Sequence, residues 1–234
     1  MSPVPRRSTI GVRSVLFDLD GTLADTAGEI ALALERTFAS LGLPALPEAE
    51  VRALIGRGIA SLVERALQRL GAKADVGIAT RRFEAAYEAT VGTTATLYPG
   101  VAQSLERLAA AELPLGVVTN KARAFSARLL DRLAVAPRFA AVVCGDDGWP
   151  KKPAADMMLA ACAQLGSAPA ETLLIGDSAN DVLAARAAGC PVWCVPYGYN
   201  EGRPVETLGA DRIVESLAEA ADRVLGVNPV DGAA

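Results

Sequence analysis

Ser14-Val-Leu-Phe-Asp18-Leu-Asp20-Gly-Thr-Leu23 decides how this chain folds. Its apolar start has the composition of a strand buried on both faces, yet it ends in two carboxylates. The expected strand covers 14–20. Residues i and i+2 of a strand share a face, so Asp18 and Asp20 point together while Phe17 and Leu19 point away. Just beyond, Thr26 stands three positions ahead of Glu29, a capping-box start for a helix with the apolar stripe Ile30, Leu34, Phe38 and Leu41.

Helical spacing continues through Ile59, Leu62, Val63, Ala66, Leu67 and Leu70, and a third helix carries Phe83 and Tyr87. After Tyr98-Pro-Gly100 the rhythm changes. Helices expected at 100–111, 122–133, 154–165 and 179–188 alternate with strands at 115–118, 141–144, 172–175 and 192–195. A last short strand near Ile213 precedes a closing helix. This alternation predicts an α/β chain with a Rossmann-like parallel sheet core and helices on both faces. The first strand belongs to that sheet, so the helical block is an insertion. The expected division is a core of 1–24 and 96–234 and an α-helical cap of 25–95.

The composition removes whole classes of chemistry. The chain has 234 residues, 51% of them hydrophobic, and 23 Lys+Arg against 27 Asp+Glu leave a net charge of −4. There is no histidine, which excludes Ser-His and Cys-His catalysis and every histidine-based metal site. Acid–base work falls to carboxylates, lysine, tyrosine or cysteine. A mildly acidic chain without a basic block gives no support for nucleic-acid binding. Arg6 and Arg7 are not followed by an apolar run, so they read as neither a signal peptide nor a twin-arginine signal, and no stretch is apolar enough to span a membrane. Cys144, Cys162, Cys190 and Cys194 sit among apolar neighbours and are expected to be buried and reduced, which points to the cytoplasm. Lysine occurs only four times, so each lysine is informative.

Open parallel sheets place their sites at the carboxyl ends of the strands. Those ends read Asp18 and Asp20, then Thr119-Asn120, then 145–152, then Asp177. Three carboxylates converging on one crevice require a cation, and an all-oxygen donor set favours Mg²⁺. Each segment also has a plainer role: an Asp-Gly turn, a helix start, a solvated lysine pair, and a capping box from Ser178 to Asp181. Four such coincidences at four strand ends argue for a site.

Asp18-Leu-Asp20-Gly-Thr-Leu, Val117-Val-Thr119-Asn120, Lys152-Pro153 and Gly176-Asp177-Ser-Ala-Asn-Asp181 resemble, in order, the four motifs of the haloacid dehalogenase superfamily. The helical insertion resembles that superfamily's small α-helical cap. Val-Val-Thr-Asn-Lys121, Pro196-Tyr-Gly-Tyr-Asn200 with Gly202-Arg-Pro204, and Ile55-Gly-Arg-Gly58 are most similar to the bacterial phosphoglycolate phosphatases. The resemblance implies Asp18 as nucleophile and Asp20 as general acid and base. It implies the Thr119 hydroxyl, the Asn120 backbone N–H at a helix N-terminus, and Lys152 as phosphate ligands. Mg²⁺ would lie between Asp18, the Asp20 carbonyl and Asp177, supported by Asp181. Lys152 is preferred to Lys151 because the motif lysine directly precedes proline. Arg57 is the cap residue expected to meet a substrate carboxylate.

The implied activity is hydrolysis of a small phosphomonoester, foremost phosphoglycolate, through an aspartyl-phosphate. A phosphatase or phosphomutase acting on another small phosphate ester, such as a sugar phosphate, and a non-enzymatic phospho-aspartate signalling or binding protein remain alternatives. A dehalogenase is excluded, because Asp20 is present. The expected partner is a small phosphorylated metabolite, with the chain a monomer or homodimer.

Overall fold

A computed structural model describes residues 11–227. Arg6, Arg7 and the outermost residues of both termini, which read as loosely held, lie outside the described residues. In chain order the strands are β1 (Ser14–Phe17), β2 (Ala24–Asp25), β3 (Thr96–Leu97), β4 (Leu115–Thr119), β5 (Ala141–Cys144), β6 (Thr172–Gly176), β7 (Val192–Cys194) and β8 (Arg212–Ile213). The helices are α1 (Ala27–Ser40), α2 (Glu48–Arg52), α3 (Ile59–Arg69), α4 (Val76–Thr90), α5 (Val101–Ala110), α6 (Arg123–Arg132), α7 (Asp156–Leu165), α8 (Ala179–Ala188) and α9 (Leu217–Leu225).

Six strands form a parallel sheet in the order β5-β4-β1-β6-β7-β8. The alternation of side chains explains why helices cover both faces. Val15, Phe17, Val117, Leu173 and Ile175 enter a core with α5, α6 and α9, while Leu16, Val118, Val143, Leu174 and Val192 enter a second core with α7 and α8. The strands β1, β4, β6 and β7 are buried throughout, as the interior of a parallel sheet requires. Chain order reverses on either side of β1, and such a switch point opens a crevice at the carboxyl ends of the strands.

Helices α1 to α4 form the extra helical region, with α4 packed against both α1 and α3. The chain leaves the sheet through β2 and returns through β3, and these two strands pair antiparallel. Neither they nor α2 was anticipated, since two to five residues are too few to carry a periodic signal.

The expected strand over 14–20 is corrected: it stops at Phe17. The Asp18 N–H still donates to the Ile175 carbonyl at 3.0 Å, but the N–H groups of Leu23 and Ala24 then fold back onto the Leu19 carbonyl. Gly21, at φ 86°, permits that turn.

The expected capping box at the start of α1 is also corrected. Thr26 makes no side-chain cap. Its N–H and that of Ala27 donate to the Tyr199 hydroxyl at 2.6 and 3.0 Å. With those donors satisfied from the core, the Thr26 hydroxyl donates to Asp20 at 2.7 Å. Glu29 is buried and accepts from the Tyr87 hydroxyl at 2.9 Å and the Gly92 N–H at 2.7 Å.

Candidate active site

Asp18, Asp20, Thr119 and Asn120 come together at the carboxyl ends of β1 and β4 and line one cavity. Its opposite wall comes from the helical region, through Ile30, Ile55, Leu62, Phe83 and Tyr87, and Lys121 lies between the two. The space enclosed is about 40 Å³, room for a few water-sized groups.

Behind Asp18 lies a dense buried charge cluster. Carboxylate oxygens of Asp18, Asp177 and Asp181 all lie within 4.8 Å of one another. Lys152 places its ammonium 3.0 Å from Asp18 Oδ1 and 2.6 Å from Asp181 Oδ1, and donates to the Val118 carbonyl at 2.8 Å. Burial raises the Asp18 carboxyl to about 7 even though Lys152 opposes the shift. Burial, with Asp181 and Asp18 adding to it, pushes Asp177 well above the usual carboxylate range. Burial works against the Lys152 ammonium, but Asp18 and Asp181 outweigh it and its pKa rises. The neighbouring Lys151 is exposed.

One lysine does not neutralise three carboxylates, and the donors are all oxygen, so the cluster fits a hard divalent cation such as Mg²⁺. Asp18 Oδ1 is used by the Leu19 N–H at 2.7 Å and by Lys152, which leaves Oδ2 without a hydrogen-bond donor among the described residues. Asp181 is differently placed. Its Oδ1 holds Lys152, and its Oδ2 accepts from the Ser178 N–H at 3.0 Å and the Ser178 hydroxyl at 2.6 Å. Asp181 therefore fills the capping-box role at the start of α8 and anchors Lys152 as well.

Asp177 is held by the core rather than by its own helix. The Thr22 hydroxyl donates to Oδ1 at 2.9 Å, and the Tyr199 N–H donates to Oδ2 at 2.6 Å. The backbone at Gly21 and Gly198 presses so close that a Cβ at either position would collide with the Asp177 carboxylate.

Thr119 is buried, and its Oγ1 accepts from the Lys121 N–H at 3.2 Å. Asn120 was expected at a helix N-terminus, but α6 starts only at Arg123, and the Arg123 N–H is capped by Asp146 from the loop after β5. The Asn120 amide instead joins three segments. Its Oδ1 accepts from the Lys152 N–H, and its Nδ2 donates to the carbonyls of Lys152 and Gly56, each at 2.9 Å.

Arg57 does not line the cavity. It donates from Nε and Nη2 to Glu201 at 2.6 and 2.7 Å, on an exposed edge between the helical region and the loop after β7. The expected carboxylate partner is thus already engaged, because Glu201 offers its guanidinium both oxygens.

A family model for haloacid dehalogenase-like hydrolases matches residues 15–195. This chain belongs to that family. The hydrolase is 42% identical over 215 residues to a phosphoglycolate phosphatase of Thiobacillus denitrificans, covering 90% of this chain and 94% of the relative. It is 44% identical over 213 residues to one of Nitrosospira multiformis, covering 89% and 94%. Among solved structures, a predicted phosphoglycolate phosphatase from Haemophilus somnus matches with a TM-score of 0.85 at 29% identity, over 90% of this chain and 96% of that one.

Two features of the hydrolase were missed as site residues in the sequence. Lys121 places Nζ 2.7 and 2.9 Å from the two oxygens of Asp20 and 5.0 Å from the centre of the Tyr87 ring. It stands out as one of four lysines, next to a strand end, but its partner Asp20 lies 101 positions away and no local pattern joins them. Tyr199 gathers Thr26, Ala27, Asp25 and Asp177 around one residue. Nothing in the spacing signals that, because its partners are more than twenty residues away.

Proposed function

We propose that the hydrolase cleaves phosphoglycolate to glycolate and phosphate. The observation that carries this reading is the cavity. An unpaired Asp18 oxygen and Asp20 lie at its core end, its walls are apolar, and Lys121 is the one cation among its described lining residues. A small acidic organic half suits apolar walls with one ammonium between them, and the relatives named above carry phosphoglycolate phosphatase activity in their names.

In this reading Asp18 Oδ2 attacks phosphorus and forms an aspartyl-phosphate as the ester P–O bond breaks. Asp20 donates its proton to the departing oxygen, which leaves as the glycolate hydroxyl. Asp20 then takes a proton from the water that attacks the aspartyl-phosphate, releasing phosphate and restoring Asp18. Thr119, the Asn120 N–H and Lys152 hold the phosphoryl oxygens. Asp18, the Asp20 carbonyl and Asp177 are the residues that would hold Mg²⁺, with Asp181 supporting them through Lys152. Mg²⁺ supplies charge neutralisation for the phosphoryl group and the carboxylates. Residues 25–95 act as the cap that closes over the ester. Four buried free cysteines suit a reducing, cytoplasmic setting.

The test is a panel of small phosphomonoesters with purified protein and Mg²⁺, run beside Asp18→Asn. Phosphoglycolate should be the best substrate, and Asp18→Asn should lose both turnover and the trapped phosphoenzyme. A clear preference for a sugar phosphate would overturn the substrate assignment. Normal turnover by Asp18→Asn would overturn the covalent mechanism.

A further inference from the structure

Lys121 is the one cation among the described residues that line the cavity, and its ammonium is buried. Its backbone is fixed from both sides. The Lys121 N–H donates to Thr119 Oγ1 at 3.2 Å, and its carbonyl accepts from the Gly145 N–H at 2.9 Å. The side chain lies against the Tyr87 ring, so Nζ is held where the core meets the apolar wall. There it grips both oxygens of Asp20.

That grip conflicts with the work proposed for Asp20. A carboxylate bound through both oxygens by an ammonium is not turned toward a substrate oxygen. A buried ammonium, in turn, does not give up its anion without a replacement, because an unpaired charge in such surroundings is costly. The replacement has to be negative and has to lie beside the oxygen that Asp20 serves. In phosphoglycolate a single methylene separates that ester oxygen from a carboxylate.

Resting on the proposed phosphoglycolate activity, we infer that Lys121 is the site for the substrate carboxylate. On binding, the ammonium exchanges Asp20 for the carboxylate, and Asp20, with Oδ1 still accepting from the Thr26 hydroxyl, is left with Oδ2 free to face the ester oxygen. No covalent bond changes in this exchange. An ester without the carboxylate finds an apolar wall and an Asp20 still held by Lys121. Recognition of the organic half and release of the acid–base residue are then one event, carried by a core lysine rather than by the cap arginine Arg57.

The test compares phosphoglycolate with isobutyl phosphate, which has the same shape with methyl groups in place of the carboxylate oxygens. In Lys121→Met the ratio of the two kcat/KM values should fall about 10- to 100-fold, the loss of one charged hydrogen bond. Lys121→Arg should retain part of the ratio. The inhibitor phosphonopropionate, a non-hydrolysable methylene analogue, should bind Lys121→Met weaker by a similar factor. If Lys121→Met does not fold, wild-type protein decides: phosphonopropionate should bind at least about tenfold tighter than isopentylphosphonate. Equal losses on both esters, or equal binding of the two phosphonates, would overturn the inference while leaving the proposed activity standing. Wild-type protein that does not turn over phosphoglycolate would remove the proposed activity and this inference with it.

Discussion

Replacing Lys152 with methionine keeps most of the length of the side chain and removes its charge. The ammonium lies 3.0 Å from Asp18 and 2.6 Å from Asp181, fully enclosed. At an effective dielectric of about 20 each attraction is worth roughly 5–6 kcal/mol before desolvation is set against it. Breaking a buried pair typically leaves a net loss of about 3–5 kcal/mol, because the remaining charge is uncompensated. For a chain of this size that corresponds to a fall in Tm of roughly 6–20 °C. Lys151→Ala should shift Tm by about 1 °C or less, since Lys151 is exposed. Thermal unfolding followed by circular dichroism in EDTA, for both variants beside wild type, measures this directly. Phosphatase activity should collapse in Lys152→Met and survive in Lys151→Ala. If Lys152→Met melted within a degree or two of wild type, the carboxylate cluster would not depend on this lysine and the charge argument would fail.

Stripping divalent ions with EDTA should abolish activity, and Mg²⁺ should restore it far better than Ca²⁺, whose larger, looser shell misplaces the nucleophile; activity that survives chelation would exclude the metal role. Metal-free protein should be more stable to urea at pH 5.5 than at pH 8. Asp18 is raised from 3.8 to about 7 and Asp177 is raised as well, so the folded chain keeps protons that the unfolded chain has released, and stability falls as pH rises through that window. Greater metal-free stability at pH 8 would contradict the assignment, and Mg²⁺ should reduce or reverse the difference. Arg57→Ala removes an exposed pair with Glu201 and should cost less than about 1 kcal/mol. Kinetics of this variant should show equal changes on phosphoglycolate and isobutyl phosphate; a selective loss on phosphoglycolate would return Arg57 to the substrate site.

The sheet was legible because β1, β4, β5, β6 and β7 are apolar runs, and its polar strand ends because β1, β4 and β6 lead directly into Asp18, Asn120 and Asp177. The inserted helices were legible from their stripes. What escaped was set by contacts distant in sequence. Glu29 reads as a capping residue until Tyr87 and Gly92 are seen to enclose it. Arg57, between two glycines, reads as a free turn residue until Glu201 is placed opposite it, 144 positions later. Asn120 has the residue type and place of a helix start, yet its amide is consumed by Lys152 and Gly56. Local pattern tells which residues reach the carboxyl ends of the sheet. It does not tell which partners they find there.

The contact between Asn120 and the Gly56 carbonyl has a consequence for how often the molecule admits a ligand. Besides that amide hydrogen bond, the helical region is tied to this rim of the core by Asn180 Nδ2 donating to the same Gly56 carbonyl at 3.4 Å, by the pairs of Arg57 and Arg65 with Glu201, and by Lys121 against Tyr87. Such contacts are worth about 0.5–1.5 kcal/mol for each hydrogen bond, 0–1 for each ion pair and 0.5–1 for the cation–π contact, or roughly 1.5–6 kcal/mol together. A difference of that size leaves from about one molecule in ten thousand to one in ten with the rim parted at any moment. Closure is then a bias rather than a seal: the apolar wall spends most of its time over Asp18 and Asp20, and exchange of ester for products needs no outside trigger.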